Sequence, residues 1–163
     1  MFDLELSGKI ALITGGSDGL GRATAERFVE EGANVVICGR RAKYAKSVAA
    51  EIYANARGNR HNTLGKISAF GADVTNTQDC ETLVNETVSE FGGVDILVNN
   101  AGASAAFELE MLDDNAWLND FNLKVMAAVR LSRLVIPFMK SRGGGAIVNA
   151  AITGAKAPNA GSL

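Results

Sequence analysis

Short, nearly unbroken apolar runs alternate along the chain with longer stretches whose apolar positions recur at helical spacing. Residues 9–14 (KIALIT) hold four apolar residues in a row and run into a glycine cluster, as suits a strand buried on both faces. Residues 20–31 set Ala23, Phe28 and Val29 against Arg22, Glu26, Arg27 and Glu30, which predicts a helix stopped by Gly32. The same alternation continues. Residues 34–38 (NVVIC) read as a strand, 42–56 as a helix closed near Gly58, and 66–70 as a third strand. Residues 77–91 place Leu83, Val84, Thr87, Val88 and Phe91 at helical spacing before Gly92 and Gly93. Residues 94–98 (VDILV) predict a fourth strand. A long helical stretch over 112–140, interrupted near Phe121, ends at the glycines 143–145, and 146–149 (AIVN) predict a fifth strand. Residues 150–163 are small and polar without periodicity.

Strands joined by helical crossovers run parallel, and such crossovers are almost always right-handed. The expected fold class is therefore α/β, a doubly wound Rossmann-type parallel sheet with helices on both faces, formed as a single domain over 1–163. No repeat or linker divides the chain. Its 163 residues suffice for one core, and a net charge of -2 offers no basic stripe to nucleic acid. Arg40, Arg41, Lys43 and Lys46 form only a local cluster. No apolar run approaches the roughly eighteen residues that span a bilayer, so no membrane partner is expected. The first eight residues carry Asp3 and Glu5 and no apolar signal region, and Cys38 and Cys80 show no metal or redox spacing. A cytoplasmic protein with two reduced thiols and no metal site is expected.

The 18 glycines matter through their positions. Thr14-Gly15-Gly16-Ser17-Asp18-Gly19-Leu20-Gly21 lies between the first strand and the first helix. There a pyrophosphate can rest on the helix N-terminus, and glycine permits positive φ and close backbone approach. The spacing is TGxxxGxG, not GxGxxG and not a P-loop, which needs GKS or GKT.

This pattern resembles the short-chain dehydrogenase/reductase family, and three further segments agree with it in order. Asn99-Asn100-Ala101-Gly102 follows the fourth strand as that family's NNAG does. Asp73-Val74 follows the third strand, where the family contacts adenine. Phe121-Asn122-Leu123-Lys124 is similar to its helix-borne NL motif, whose asparagine is a catalytic member. The resemblance implies a nicotinamide dinucleotide bound by Thr14, Gly15, Ser17, Asp18, Gly19, Leu20, Gly21, Arg40, Asp73, Val74, Asn100, Ala101 and Gly102, with Asn122 in the catalytic set. Trp117 and Phe121 are expected to pack rather than meet substrate. Gly39 stands where NAD-preferring relatives have Asp, and Arg40 follows it, which favours NADP; Asp18, where NADP-preferring relatives often have Arg or Lys, argues the other way.

The family implies a small-molecule carbonyl or alcohol substrate, a proton-donating tyrosine, a lysine four residues later and a serine after the fifth strand. Ala151 occupies the serine position, with Thr153 two residues on. The tyrosine would fall at position 164, and Tyr44 and Tyr53 both lie in the second helix. The family Tyr and Lys are thus absent from these 163 residues, which read as the cofactor-binding portion of an NADP(H)-dependent oxidoreductase, incomplete at its C-terminal end and inactive by itself. Residues 155–158 (AKAP) resemble a less usual branch. A catalytically inactive nucleotide-binding or scaffolding relative is the alternative. An extended epimerase or dehydratase fits less well, because its GxxGxxG spacing is not met. A homo-oligomer through the helix near 122–140 is expected, as is an open sheet edge beside the fifth strand.

Overall fold

The computed structural model describes residues 4–58, 64–103 and 111–151. The elements run β1 (Ile10–Thr14), α1 (Gly19–Glu30), β2 (Asn34–Gly39), α2 (Ala42–Gly58), β3 (Ile67–Gly71), α3 (Thr77–Phe91), β4 (Ile96–Asn99), α4 (Asp114–Phe121), a π-helical segment (Asn122–Met126), α5 (Ala127–Ser141) and β5 (Ala146–Asn149). The five strands are parallel in the order β3-β2-β1-β4-β5. The direction of winding reverses between β1 and β4, the switch point where open α/β sheets bind ligands. Thr14 stands level with Cys38, and Ile13 with Val98, so the C-terminal ends of β2, β1 and β4 form one rim.

Alternation along the strands divides the core in two. Ala11, Ile13, Val35 and Ile37 face α1 and α2 and pack on Ala25, Val29, Val48 and Ile52. Leu12, Val36, Cys38 and Leu97 face the other side and pack on Leu83, Val84, Leu131 and Val135 of α3 and α5. Helices on both faces explain why β1 is buried at every position.

Local chemistry sets the helix limits. Asn76 and Asp113 cap α3 and α4 by accepting the backbone N–H of Asp79 and Ala116, and Gly92 ends α3 in the left-handed region at φ 89°. At the opposite rim from the glycine turn, Asp95 is buried. It accepts the Ile10 N–H at 2.8 Å and a bidentate pair from Arg142 at 2.7 and 3.0 Å, joining β1, β4 and the end of α5.

Three details depart from the sequence reading. The 112–140 stretch has no chain break near Phe121: α4 runs into the π segment and on into α5, and the expected interruption is a change of helical pitch. Trp117 and Phe121 do not pack. They are 47% and 53% exposed, because α4 buries none of its residues and turns its apolar side outward. On α1 the buried stripe is Gly21, Ala25 and Val29, spaced four apart, and Ala23 faces solvent. On the edge of the sheet, β5 pairs with β4 alone among the described residues and leaves Ile147 36% and Val148 51% exposed.

Candidate functional site

The rim at the switch point is assembled around Thr14, the last residue of β1. Its Oγ1 accepts the N–H groups of Asn100 and Ala101, both at 3.0 Å, and reaches the Val98 carbonyl at 3.4 Å. The Asn100 amide donates back to the carbonyls of Thr14 at 3.1 Å and Gly15 at 3.2 Å. The turn after β1 and the turn after β4 are thereby locked together. The lock leaves no room for side chains. A Cβ on Gly15 would lie 3.0 Å from the Ala101 Cα, and one on Gly21 would lie 2.4 Å from the Gly15 carbonyl oxygen.

Gly19 differs. It adopts φ +50°, and a Cβ there would meet nothing within 4 Å. Its unfilled side borders the head of α1, where Asp18, Gly19 and Leu20 are all exposed and Leu20 reaches 78%. Protein atoms crowd Gly15 and Gly21, while Gly19 presents bare backbone at a helix N-terminus. This is the geometry a pyrophosphate requires, and the residues present fit one. Asp18 caps α1 by accepting the Gly19 N–H at 2.8 Å.

The neighbouring end of β2 lies close to the turn. A Cβ on Gly39 would sit 2.9 Å from the Ser17 Oγ, so Gly39 lies directly beneath the glycine turn. Arg40 follows it, exposed, and its charge helps draw the Asp73 carboxyl below its ordinary value. The larger cause there is Thr75, whose Oγ1 and N–H donate to Asp73 Oδ1 at 2.7 and 2.9 Å. Asp73 therefore folds the loop after β3, and the cap of α3 is Asn76. Val74 is buried beneath this loop, against the α3–α5 core. Cys38 lies under the turn with the Gly15 N–H on its sulfur; burial pushes its thiol up to about 12, which makes it a packing residue.

Asn122 opens the π segment, and both ends of its amide are engaged. Oδ1 accepts Arg130 Nη2 at 2.6 Å, and Nδ2 lies 3.4 Å from the Thr75 carbonyl. Its backbone carbonyl accepts the Ala127 N–H, the five-residue step of a π turn. Ala151 is exposed just beyond β5 and offers no hydroxyl. Thr153 and 155–158 lie outside the described residues, as do residues 104–110 after the Asn99–Gly102 turn. Tyr44 and Tyr53 are on α2, where Tyr44 stacks under the Arg41 guanidinium at 4.4 Å.

The rim thus gathers the sequence-predicted nucleotide residues from four separate segments. The sequence reading missed Arg130, which lies outside every motif. It also missed Asn149, whose Oδ1 accepts the Asn99 amide at 2.9 Å at the tips of β5 and β4.

The family model described as short chain dehydrogenase matches residues 9–162. The chain belongs to this family. It is 35% identical over 159 residues to the 7alpha-hydroxysteroid dehydrogenase of Bacteroides fragilis, a match covering 95% of this chain and 58% of that protein. Among solved structures it is similar to L-sorbose reductase of Gluconobacter frateurii complexed with NADPH and L-sorbose, with 38% identity and a TM-score of 0.82 over 90% of this chain and 53% of that one. The 3-ketoacyl-(acyl-carrier-protein) reductase of Brucella melitensis complexed with NADH gives 34% identity and a TM-score of 0.84 over 97% and 63%. The chain spans between about half and two thirds of the length of these relatives. The family uses nicotinamide dinucleotides and acts on small molecules. Among the described residues no helix is long and apolar enough to cross a membrane, and no three His, Cys, Asp or Glu gather as a metal site.

Proposed function

We propose that the chain carries the cofactor site of an NADP(H)-dependent oxidoreductase that reduces a carbonyl or oxidises a secondary alcohol. The observation that carries the NADP reading is the end of β2. Gly39 brings no carboxylate to this corner, and Arg40 stands exposed beside it. An arginine without a neighbouring ribose-binding carboxylate favours a 2′-phosphate. Asp18 opposes that preference by its charge but is partly occupied as the α1 cap.

In this reading Gly15, Gly19, Leu20 and Gly21 shape the pyrophosphate seat, with Thr14 and Asn100 holding it rigid. Asp73 and Val74 border the adenine, and Ala101 and Gly102 leave space beside the nicotinamide ribose. When bound, the nucleotide supplies a hydride at nicotinamide C4. Asn122 is the catalytic member of the set, and its amide, in contact with Arg130 and the Thr75 carbonyl, also ties its helix to the 73–75 loop. The exposed apolar residues of the α4–π–α5 stretch, including Leu118, Phe121, Val125 and Val129, are proposed to pair with a second copy. A cytoplasmic setting accords with two buried free cysteines.

The test is cofactor preference. Arg40→Asp should move binding from NADPH toward NADH by roughly ten- to hundredfold, the worth of a charge-assisted contact. Isothermal calorimetry with both nucleotides measures it. Equal wild-type affinity for the two would remove Arg40 from the site.

A further inference from the structure

Arg130 lies on α5, eight residues beyond Asn122 and on the far side of the π segment. Its Nη2 donates to Asn122 Oδ1 at 2.6 Å, the shortest side-chain bond made to Asn122. A π turn is an unfavourable local geometry that persists where surrounding contacts over-determine it. Here the contact spans the turn. The Asn122 amide, so oriented, points Nδ2 at the Thr75 carbonyl, and Thr75 is bound through its N–H and hydroxyl to Asp73 Oδ1. The Arg130 charge also acts on the Cys80 thiol in the first turn of α3, opposing the burial that pushes that thiol up. The guanidinium is thus wedged between α5 and the head of α3. A continuous chain of polar contacts runs Arg130, Asn122, Thr75, Asp73, and ends beside Arg40.

We propose that Arg130 is a positioning residue: by fixing the Asn122 amide across the π segment, it holds the 73–75 loop in place against the adenosine half of the nucleotide. The inference rests on the nucleotide reading above and adds to it a residue that touches neither cofactor nor substrate. An arginine suits the task because its planar guanidinium, weakly hydrated and always charged, orients an amide oxygen better than a flexible ammonium. The link it sets is a neutral N–H···O contact, so its loss should cost a few-fold in affinity rather than all binding.

Two probes and three variants test it on the chain. Titrations would use NADPH and adenosine 2′,5′-bisphosphate, which carries the adenosine half alone. Arg130→Met should weaken both by the same factor, roughly three- to tenfold, because the loss lies on the adenosine side. Arg130→Lys should recover part of it by supplying one donor. Asn122→Asp keeps an acceptor for Arg130 but has no donor for Thr75, so it should weaken both probes as Arg130→Met does; it also serves if the methionine variant fails to fold. A lower melting temperature in Arg130→Met with unchanged affinity for both probes would reduce Arg130 to a packing residue and overturn the proposal. So would a loss confined to NADPH, which would place the effect on the nicotinamide side. A wild-type chain that binds neither probe would instead overturn the nucleotide reading on which this one stands.

Discussion

A few side chains at the rim carry demands out of proportion to their size. The Thr14 hydroxyl, 2% exposed, is the shared acceptor for two backbone N–H groups, and valine would fill its volume without replacing either bond. Unsatisfied buried donors cost about 1–3 kcal/mol each. Thr14→Val should therefore lower stability by about 2–4 kcal/mol, read as a shift in the urea midpoint, and should loosen the glycine turn at once. Gly19 makes the opposite case. Its missing Cβ would touch no protein atom, so apart from the strain of φ +50° a side chain there conflicts only with a bound ligand. Gly19→Val should abolish NADPH binding while the circular dichroism spectrum stays folded; undiminished calorimetric affinity would show that the open side of Gly19 seats no phosphate. At the other rim, Asp95 is pushed up by burial but is drawn further down by the Arg142 pair, the Ile10 N–H and the Lys9 charge, for a net lowered value. A carboxyl lowered on folding stabilises the fold above its unfolded value near 3.8 and loses that contribution as pH falls through the folded value. Urea midpoints of wild type should fall as pH drops below about 4. Those of Asp95→Asn, already lower at pH 7, should drop less.

At the scale of elements, strands and helices followed from two physical periods, and α3 and β5 fall within the limits the pattern set. The buried stripes of both sheet faces could be read because doubly covered strands leave no polar positions. The π segment could not. It coincides with side-chain contacts of Asn122 to Arg130 and Thr75, and nothing in the NLKVM pattern departs from ordinary helical spacing. Trp117 and Phe121 were misplaced for a related reason: apolar residues at helical spacing announce a face to be buried, but not which surface will bury it. If that face pairs with a second copy, replacing Phe121 and Val125 by charged residues should shift sedimentation toward monomer and leave NADPH affinity intact. A single unchanged species in both proteins would assign the exposed face to something else.

For the molecule as a whole, topology decides where function can sit. The order β3-β2-β1-β4-β5 puts the winding reversal beside Thr14, and the nucleotide residues legible in the sequence lie at the end of β1, in the first turn of α1 and on loops at that one rim. The motifs were readable because close backbone approach demands particular small residues at fixed positions, whereas the hydrogen bonds of Arg130 and Asn149 join side chains that only the fold brings together. Ala151 shows the remaining limit, since a residue without a hydroxyl says what it cannot donate and not what replaces it. The central claim, that a phosphorylated dinucleotide lies across the ends of β2, β1 and β4, is tested most directly by amide hydrogen exchange of the chain with and without NADPH. Protection should rise in Gly15 to Leu20, at Arg40, in the 73–75 loop and in Asn100 to Gly102. Residues lining the groove between α2 and β3, Tyr53 and Phe70 among them, should stay unchanged, as should the rim at Asp95. Protection centred on that groove or on the Asp95 rim, or none at any saturating NADPH concentration, would contradict the account.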